Sequence, residues 1–455
     1  ATVSRTGIIY VSESDLDWEP VLKSWLKKKS TTMNMVFEKC FLKYVGKCEG
    51  PKAYGHLFHY IQRNLKPVMY VTRVGMIEGC CILLDSLLNI SDLAVTSDEL
   101  SIELERIFLY ALTWSVGGLL EIDDRILFTK YIINCCNNTN NTTTNTTTAN
   151  NTITNTNIIN NNSIYLPNFE KNNDTLFEYK INTDSMEWER WTAPLWEYPN
   201  IPEDPDFSSI LIPTIETTRA NYLLTQIYSM NKSSLMIGSA GTAKTSTALL
   251  FFDKIQLNND IIKIKKISFS SATTAYLLQN ILELELDKRG GKSFGPPSNK
   301  KLLVFFDDLN MPEKNNWGDQ PTLEFIRQLI ETSGFCFLDK DKRGDLKIIE
   351  DLNYISAMSH PIGGRQDIPN RLKRHYFIFN MILPSSNSIN EIYGQMLYGR
   401  FKNCSHFFSS IIDHMPNITV KLWDWMRAKM LPSPTKFHYT VSRCSSSCCY
   451  IYKVV

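Results

Sequence analysis

In "LMIGSAGTAKTSTALL", Leu235–Leu250, an apolar run meets a glycine turn and then a helix-like run that opens on a lysine and a threonine. The spacing Gly238, Gly241, Lys244, Thr245 can hold a phosphate chain. Main-chain amides of Gly238, Ser239, Ala240, Gly241, Thr242 and Ala243, continued by Lys244, Thr245 and Ser246 at the helix start, can point at phosphate oxygens. Lys244 would reach the β- and γ-phosphates, and the Thr245 hydroxyl would ligate Mg2+. Ala243 stands where the usual pattern has glycine. At helical φ and ψ it adds a methyl group and no strain, so Ala243→Gly is expected to be near-neutral for nucleotide affinity.

A second stretch supplies acid. "KLLVFFDD", Lys301–Asp308, is an apolar run closed by two carboxylates. A strand buried on both faces and ending in Asp puts that acid at the C-terminal edge of a parallel sheet, where open α/β sheets bind ligands. Asp307 would hold Mg2+, directly or through water. A glycine turn before a helix is common, and a core strand can end on a capping Asp. Together, the two stretches predict an ATP–Mg2+ site.

The elements that must position these residues follow from pattern. "SSLMIG", "KIKKISFS", "KLLVFFDD", "NYISAM" and "YFIFNMIL" are short apolar, β-branched or aromatic runs between helical segments, which predicts a parallel α/β sheet flanked by helices over 207–385. From Leu16 to about Lys130 the pattern is helical. In "SIELERIFLYALTWSVGGLLE", Ser101–Glu121, apolar residues recur every three or four positions, so its aromatics are expected in a core. Residues 137–163 are almost all Asn and Thr and predict a disordered insertion, because such a tract buries too little apolar area to offset chain ordering. Within 164–206, Leu176–Pro199 alternates apolar with polar and ends in prolines, as a strand or hairpin running into a linker. "FCFLDKDKRGDLKIIEDL", Phe335–Leu352, alternates about a charged turn at Lys340–Gly344 and predicts a hairpin. Beyond Ser388 the pattern is helical again until Leu431 and then proline-rich, and 441–455 follows no pattern.

Composition excludes several classes. Lys and Arg number 48 against 47 Asp and Glu among 455 residues, a net charge of +1 that leaves no electrostatic footprint for nucleic acid. Apolar runs such as "CCILLDSLL" are too short to span a membrane. The eleven cysteines lack the two-residue spacing of zinc ligands and read as reduced thiols of a cytoplasmic protein. The chain opens on Ala1 without a charged-then-apolar leader, which is expected of a piece of something longer.

Longer motifs carry a resemblance. "FFDDLNMPEKNNWGDQPTLEFIRQLIETSGF" and "HPIGGRQDIPNRLKRHYFIFNMILPS", with "ILIPTIETTRANYLL" and "LMIGSAGTAKTS" before them, resemble the third AAA+ module of dynein heavy chains of the axonemal type. "ATVSRTGIIYVSESDLDW" is similar to the end of the second module's large subdomain. The resemblance implies a ring of six modules in one chain, each a P-loop α/β large subdomain with a helical small subdomain. Residues 1–136 would end one module, mainly as its helical small subdomain. Residues 207–385 would be the next large subdomain, and 386–440 the start of its helical partner. The implied partners are neighbouring AAA+ modules of the same heavy chain, intermediate and light chains, and microtubules through regions outside this sequence. The implied location is the cytoskeleton of a cilium or flagellum, the axoneme.

The same resemblance assigns roles by position. Asp308 falls where active AAA+ proteins carry the glutamate that polarises the attacking water, and Asp is about 1.5 Å shorter in reach. A misplaced base costs ~10²–10⁴-fold in rate, so tight binding with slow hydrolysis is expected. Ser359 falls on the sensor asparagine and could still bond a γ-phosphate. Arg5 matches an arginine finger that would reach the preceding module's nucleotide. Arg374 is a looser finger candidate, while Arg371 and Lys373 read as a solvated face. The Phe335–Leu352 hairpin resembles the insert with which such modules touch a linker or a neighbour. After "LPSPTKFHY" the family has a sensor arginine, and here "TVSRCSSSCCYIYKVV" replaces it, as a frameshift or retained intron would do. A lid without that arginine should hold nucleotide less firmly. The competing expectation, a stand-alone P-loop ATPase of another AAA+ clade, gives "NMPEKNNWGDQ" no reason to exist.

Overall fold

The structure, a computed structural model, describes residues 17–46, 56–90, 97–138, 164–170, 174–198, 210–258, 261–337, 344–361, 365–401 and 406–430. Arg5, nearly all of the Asn/Thr tract, most of the charged turn at 340–344 and the segment from Leu431 onward lie outside them. The chain divides into two compact units, one of Ala1–Arg190 with Phe377–Phe379 and one of Trp191–Tyr376 with Asn380–Val455.

The first unit is helical, with helices Glu19–Leu26, Thr31–Tyr44, His56–Asn64, Arg73–Ile90, Ser97–Ser115 and Ile122–Asn138. The three- and four-residue spacing in Ser97–Ser115 turns Leu104, Phe108, Ala111 and Leu112 inward, all at 0% exposure. Phe108 meets Phe41 edge-on at 4.8 Å. Each such ring contributes ~1.5–3 kcal/mol by leaving water. One carboxylate goes in with them. Glu105 accepts hydrogen bonds from Tyr44 Oη at 2.5 Å and Lys43 Nζ at 2.8 Å, which offsets its desolvation. The alternation after 174 gives a short antiparallel pair, Tyr179–Ile181 with Trp188–Arg190.

The second unit carries four strands of a five-stranded sheet, β1 Ser233–Ile237, β2 Ile262–Ser268, β3 Lys301–Asp307 and β4 Leu352–Met358; the fifth, β5 Tyr376–Asn380, has its middle residues Phe377–Phe379 grouped with the first unit. All five apolar runs singled out in the sequence are these strands. Their order is β5-β1-β4-β3-β2, with β1, β2 and β3 joined to their neighbours β4 and β3 in parallel. Every residue of β1 is buried, and so are Leu302–Phe306 of β3, as expected of strands covered on both faces. Helices Ile215–Ser229, Lys244–Asn258, Ala275–Glu283 and Pro321–Thr332 come from this unit. The first starts in a reciprocal cap, in which Thr214 Oγ1 accepts from Thr217 N and Thr217 Oγ1 accepts from Thr214 N. Helices Ser386–Arg400 and His406–Lys429 follow the sheet.

The expected hairpin, Gly334–Cys336 with Leu346–Ile349, is half of a four-stranded sheet. Leu346–Ile349 also pairs in parallel with Ser293–Gly295, which folds back on Asp287–Gly290. That second hairpin went unread because "DKRGGKSFG" has no apolar alternation. Among the described residues no helix is long and apolar enough to cross a membrane.

Candidate functional site

The strand order decides what meets at the sheet's C-terminal edge. Because β4 lies between β1 and β3, the segments leaving these three strands emerge side by side. Ile237 pairs with Met358 and Ser356 with Phe306, so Gly238, Ser359 and Asp307-Asp308 stand along one rim.

The loop after β1 closes tightly. A Cβ on Gly238 would lie 2.4 Å from Thr242 Oγ1 and 2.8 Å from the Met381 carbonyl oxygen, so only glycine fits. Gly241 has φ +84°, the left-handed region. Thr242 Oγ1 donates to the Ser239 carbonyl at 3.0 Å and fixes the turn. Helix Lys244–Asn258 begins at the loop's end, with the exposed Thr245 and half-buried Ser246 in its first turn. Lys244 Nζ folds over the loop and donates to the carbonyls of Gly238 and Ser239, both at 2.9 Å. A phosphate oxygen there would replace neutral carbonyls with a charged acceptor, a stronger partner for an ammonium.

Ala243 is not helical as expected. Its φ is +59°, left-handed, where an L residue with a Cβ carries about 1–2 kcal/mol of strain. The turn between Gly241 and the helix needs that backbone value, and the sequence puts alanine there anyway. The expectation of an unstrained, helical backbone at Ala243 is therefore corrected.

Across the rim, Thr245 Oγ1 donates to Asp307 Oδ2 at 2.9 Å. The two groups read as Mg2+ ligands, 62 positions apart in the sequence, are in contact. Burial raises the Asp307 carboxyl above its ordinary 3.8; the Thr245 hydroxyl opposes this, and the neighbouring Asp308 charge adds to it. A hydroxyl and a carboxylate are hard oxygen donors. Mg2+ characteristically takes few protein ligands and keeps waters and substrate oxygens for the rest, so this pair fits it. Among the described residues no group of three or more His, Cys, Asp or Glu side chains could hold a metal instead.

Asp308 follows in the left-handed region, φ +55°, which Asp tolerates better than most residues. Its carboxylate does not stand alone. Arg365 Nη1 donates to Asp308 Oδ1 at 3.2 Å and also to Ser359 Oγ. Arg365 had no role in the sequence reading, since its partners are distant in sequence and "GGRQD" has no pattern that marks an arginine as a site residue. Behind it, buried Asn310 donates through Nδ2 to the carbonyls of Ser359 at 3.0 Å and Gln366 at 3.3 Å, tying both residues to the segment after β3.

The basic segment after 370 lies elsewhere. Arg374 pairs with Glu331, and Arg371 is exposed, 3.9 Å from Glu324. Lys373 is not on a solvated face: its side chain is 4% exposed and bonds Asp367 at 2.8 Å. The reason is geometric, since a four-residue helix, Asn370–Lys373, turns its last side chain inward.

Comparison with known proteins fits this geometry. Residues 199–384 match the P-loop containing dynein motor region, and 47–193 match the dynein heavy chain AAA lid domain. Over 96% of its length the chain is 39% identical to the Dynein gamma chain, flagellar outer arm, of Chlamydomonas reinhardtii. It is 36% identical to Dynein axonemal heavy chain 8 of Mus musculus and 34% identical to Dynein axonemal heavy chain 5 of Rattus norvegicus, again over 96%. It spans 9%, 8% and 12% of those relatives' lengths. With a nucleotide-type loop at the rim of a parallel sheet, and with two family models matching consecutive stretches of its sequence, the chain belongs to the dynein heavy chains as part of their AAA+ motor region.

Proposed function

We propose that residues 207–385 form the third AAA+ module's nucleotide site of an axonemal dynein heavy chain, that the site binds ATP with Mg2+, and that it hydrolyses ATP slowly. The observation that carries this is the contact between Thr245 Oγ1 and Asp307 Oδ2, a ready pair of hard ligands beside a glycine loop. Bound Mg2+ would offset the charge of the β- and γ-phosphates. The chain's own groups do the rest. Loop amides orient the phosphates, Lys244 neutralises them, and Ser359 offers a hydroxyl at the rim.

Slow hydrolysis is supported by Asp308. It is a short acid where longer reach serves an attacking water. In this reading the site is regulatory: ATP or ADP occupancy biases movement of the ring while faster hydrolysis proceeds in other modules. The proposed setting is the axoneme of a cilium or flagellum. The proposed partners are adjoining modules of the same heavy chain, intermediate and light chains, and microtubules reached through other regions. Residues 1–136 would be the end of the second module, and Arg5 its finger toward the nucleotide before it.

The test uses the 455-residue chain with ATP and Mg2+, following both retained nucleotide and released phosphate. Retention with little release supports the reading. Turnover at the rate of an ordinary AAA+ enzyme, abolished by Lys244→Ala, overturns the regulatory assignment.

A further inference from the structure

Of the cations on the rim, Lys244 belongs to the phosphate loop and Arg365 does not. Arg365 Nη1 sits between Asp308 Oδ1, at 3.2 Å, and Ser359 Oγ. Those are the two residues read as facing the terminal phosphate of a bound nucleotide. From this we infer that Arg365 is a specificity-determining residue, taking the γ-phosphate of a nucleoside triphosphate in cis and so separating triphosphate from diphosphate. The inference rests on the nucleotide reading above and names a residue that reading does not use.

Three observations carry it. The first is charge. Asp307 and Asp308 would both face an anion, and an anion beside two carboxylates needs cations close by; Lys244 and Arg365 supply one each. The second is capacity. A guanidinium has five N–H donors, and both recorded contacts use Nη1, so the planar fork has donors for an incoming phosphate. Its side chain is 36% exposed and its partner's 45%, so a ligand can reach the pair and the pair can open without burying an unpaired charge.

The third is placement. Asn310 binds the carbonyls of both Ser359 and Gln366, one on each side of Arg365, to the strand that carries Asp308. Gln366, the residue next to the arginine, is thus held to the rim before any ligand arrives, which lowers the ordering cost of a new bond. Without a γ-phosphate the arginine stays on Asp308. With one, phosphate oxygens compete for the same guanidinium, and Asp308 is released from it.

The experiment is calorimetric titration of the 455-residue chain with ADP and with a non-hydrolysable ATP analogue, each with Mg2+. Wild type, Arg365→Ala, Arg365→Lys and Lys244→Ala are compared, with thermal unfolding as a control on folding. Arg365→Ala is expected to weaken the triphosphate ~10-fold, the size of a hydrogen bond to a charged group, and to leave ADP unchanged. Arg365→Lys should recover part of the difference, and Lys244→Ala should weaken both ligands. If alanine unfolds the loop, Arg365→Gln keeps the stem without the charge and carries the same expectation. Equal loss for both nucleotides overturns the proposal by making Arg365 structural, and an unchanged or tightened triphosphate affinity overturns it directly. A wild-type chain that holds neither nucleotide brings down the nucleotide reading, and this proposal with it.

Discussion

Thr245 Oγ1 lies 2.9 Å from Asp307 Oδ2, donating a hydrogen bond from the first turn of one helix to the last residue of a strand 62 positions away. Replacing either group should therefore act on metal-dependent binding. Thr245→Ala and Asp307→Asn are each expected to lower ATP affinity in Mg2+ by ~10-fold or more, and to have less effect when Mg2+ is chelated. Titration with and without chelator checks this. Equal losses in both conditions would mean that the pair is only structural.

Asp307→Asn separates binding from folding. Burial disfavours the ionised carboxylate, whereas an amide oxygen can still accept from Thr245. Without nucleotide, the variant should melt at the same temperature as wild type or higher. A clear drop in melting temperature would contradict the account of Asp307.

Ala243→Gly removes a methyl group from a backbone held at φ +59°. The expected gain in unfolding free energy is ~0.5–1 kcal/mol, strain relief less the extra freedom of glycine in the unfolded chain. Nucleotide affinity should stay as it was, because glycine holds the same φ and leaves the loop amides where they are. Urea unfolding measures the first and titration the second. The converse exchange at Gly238 is harmful: Gly238→Ala drives a methyl into Thr242 Oγ1 and the Met381 carbonyl, and should cost about 1–3 kcal/mol together with nucleotide binding.

Much of this architecture was legible in the sequence, and the failures have particular causes. Runs such as "KLLVFFDD" announce buried parallel strands because both faces must be apolar. The phosphate loop was legible because its spacing is local. The left-handed backbone of Ala243 was not, since alanine gives no sign of a conformation it rarely adopts. Arg365 escaped because its partner Asp308 is 57 positions away, and only the order of strands brings them together. Lys373 looked solvated beside Arg371 and Arg374. The short helix Asn370–Lys373 turns it inward instead, where it bonds Asp367.

His375 gives a pH dependence with a definite sign. Burial, and then the charge of Arg374, holds its pKa below the ordinary 6.5. Below that value the unfolded chain takes up a proton that the folded chain resists, so the unfolded state binds more protons there. Stability is thus fully present above 6.5 and declines as pH falls beneath it. His375→Gln should flatten the fall in urea midpoint between about pH 7.5 and about pH 5.5. The same slope in both proteins would contradict the assignment.

The most direct measurement is equilibrium binding of ATP to the folded chain with Mg2+ present, wild type against Lys244→Ala. The account predicts retention by wild type, lost when the lysine is removed and weakened when the metal is withdrawn. No retention by a folded wild-type chain, or retention indifferent to both lysine and metal, would contradict it.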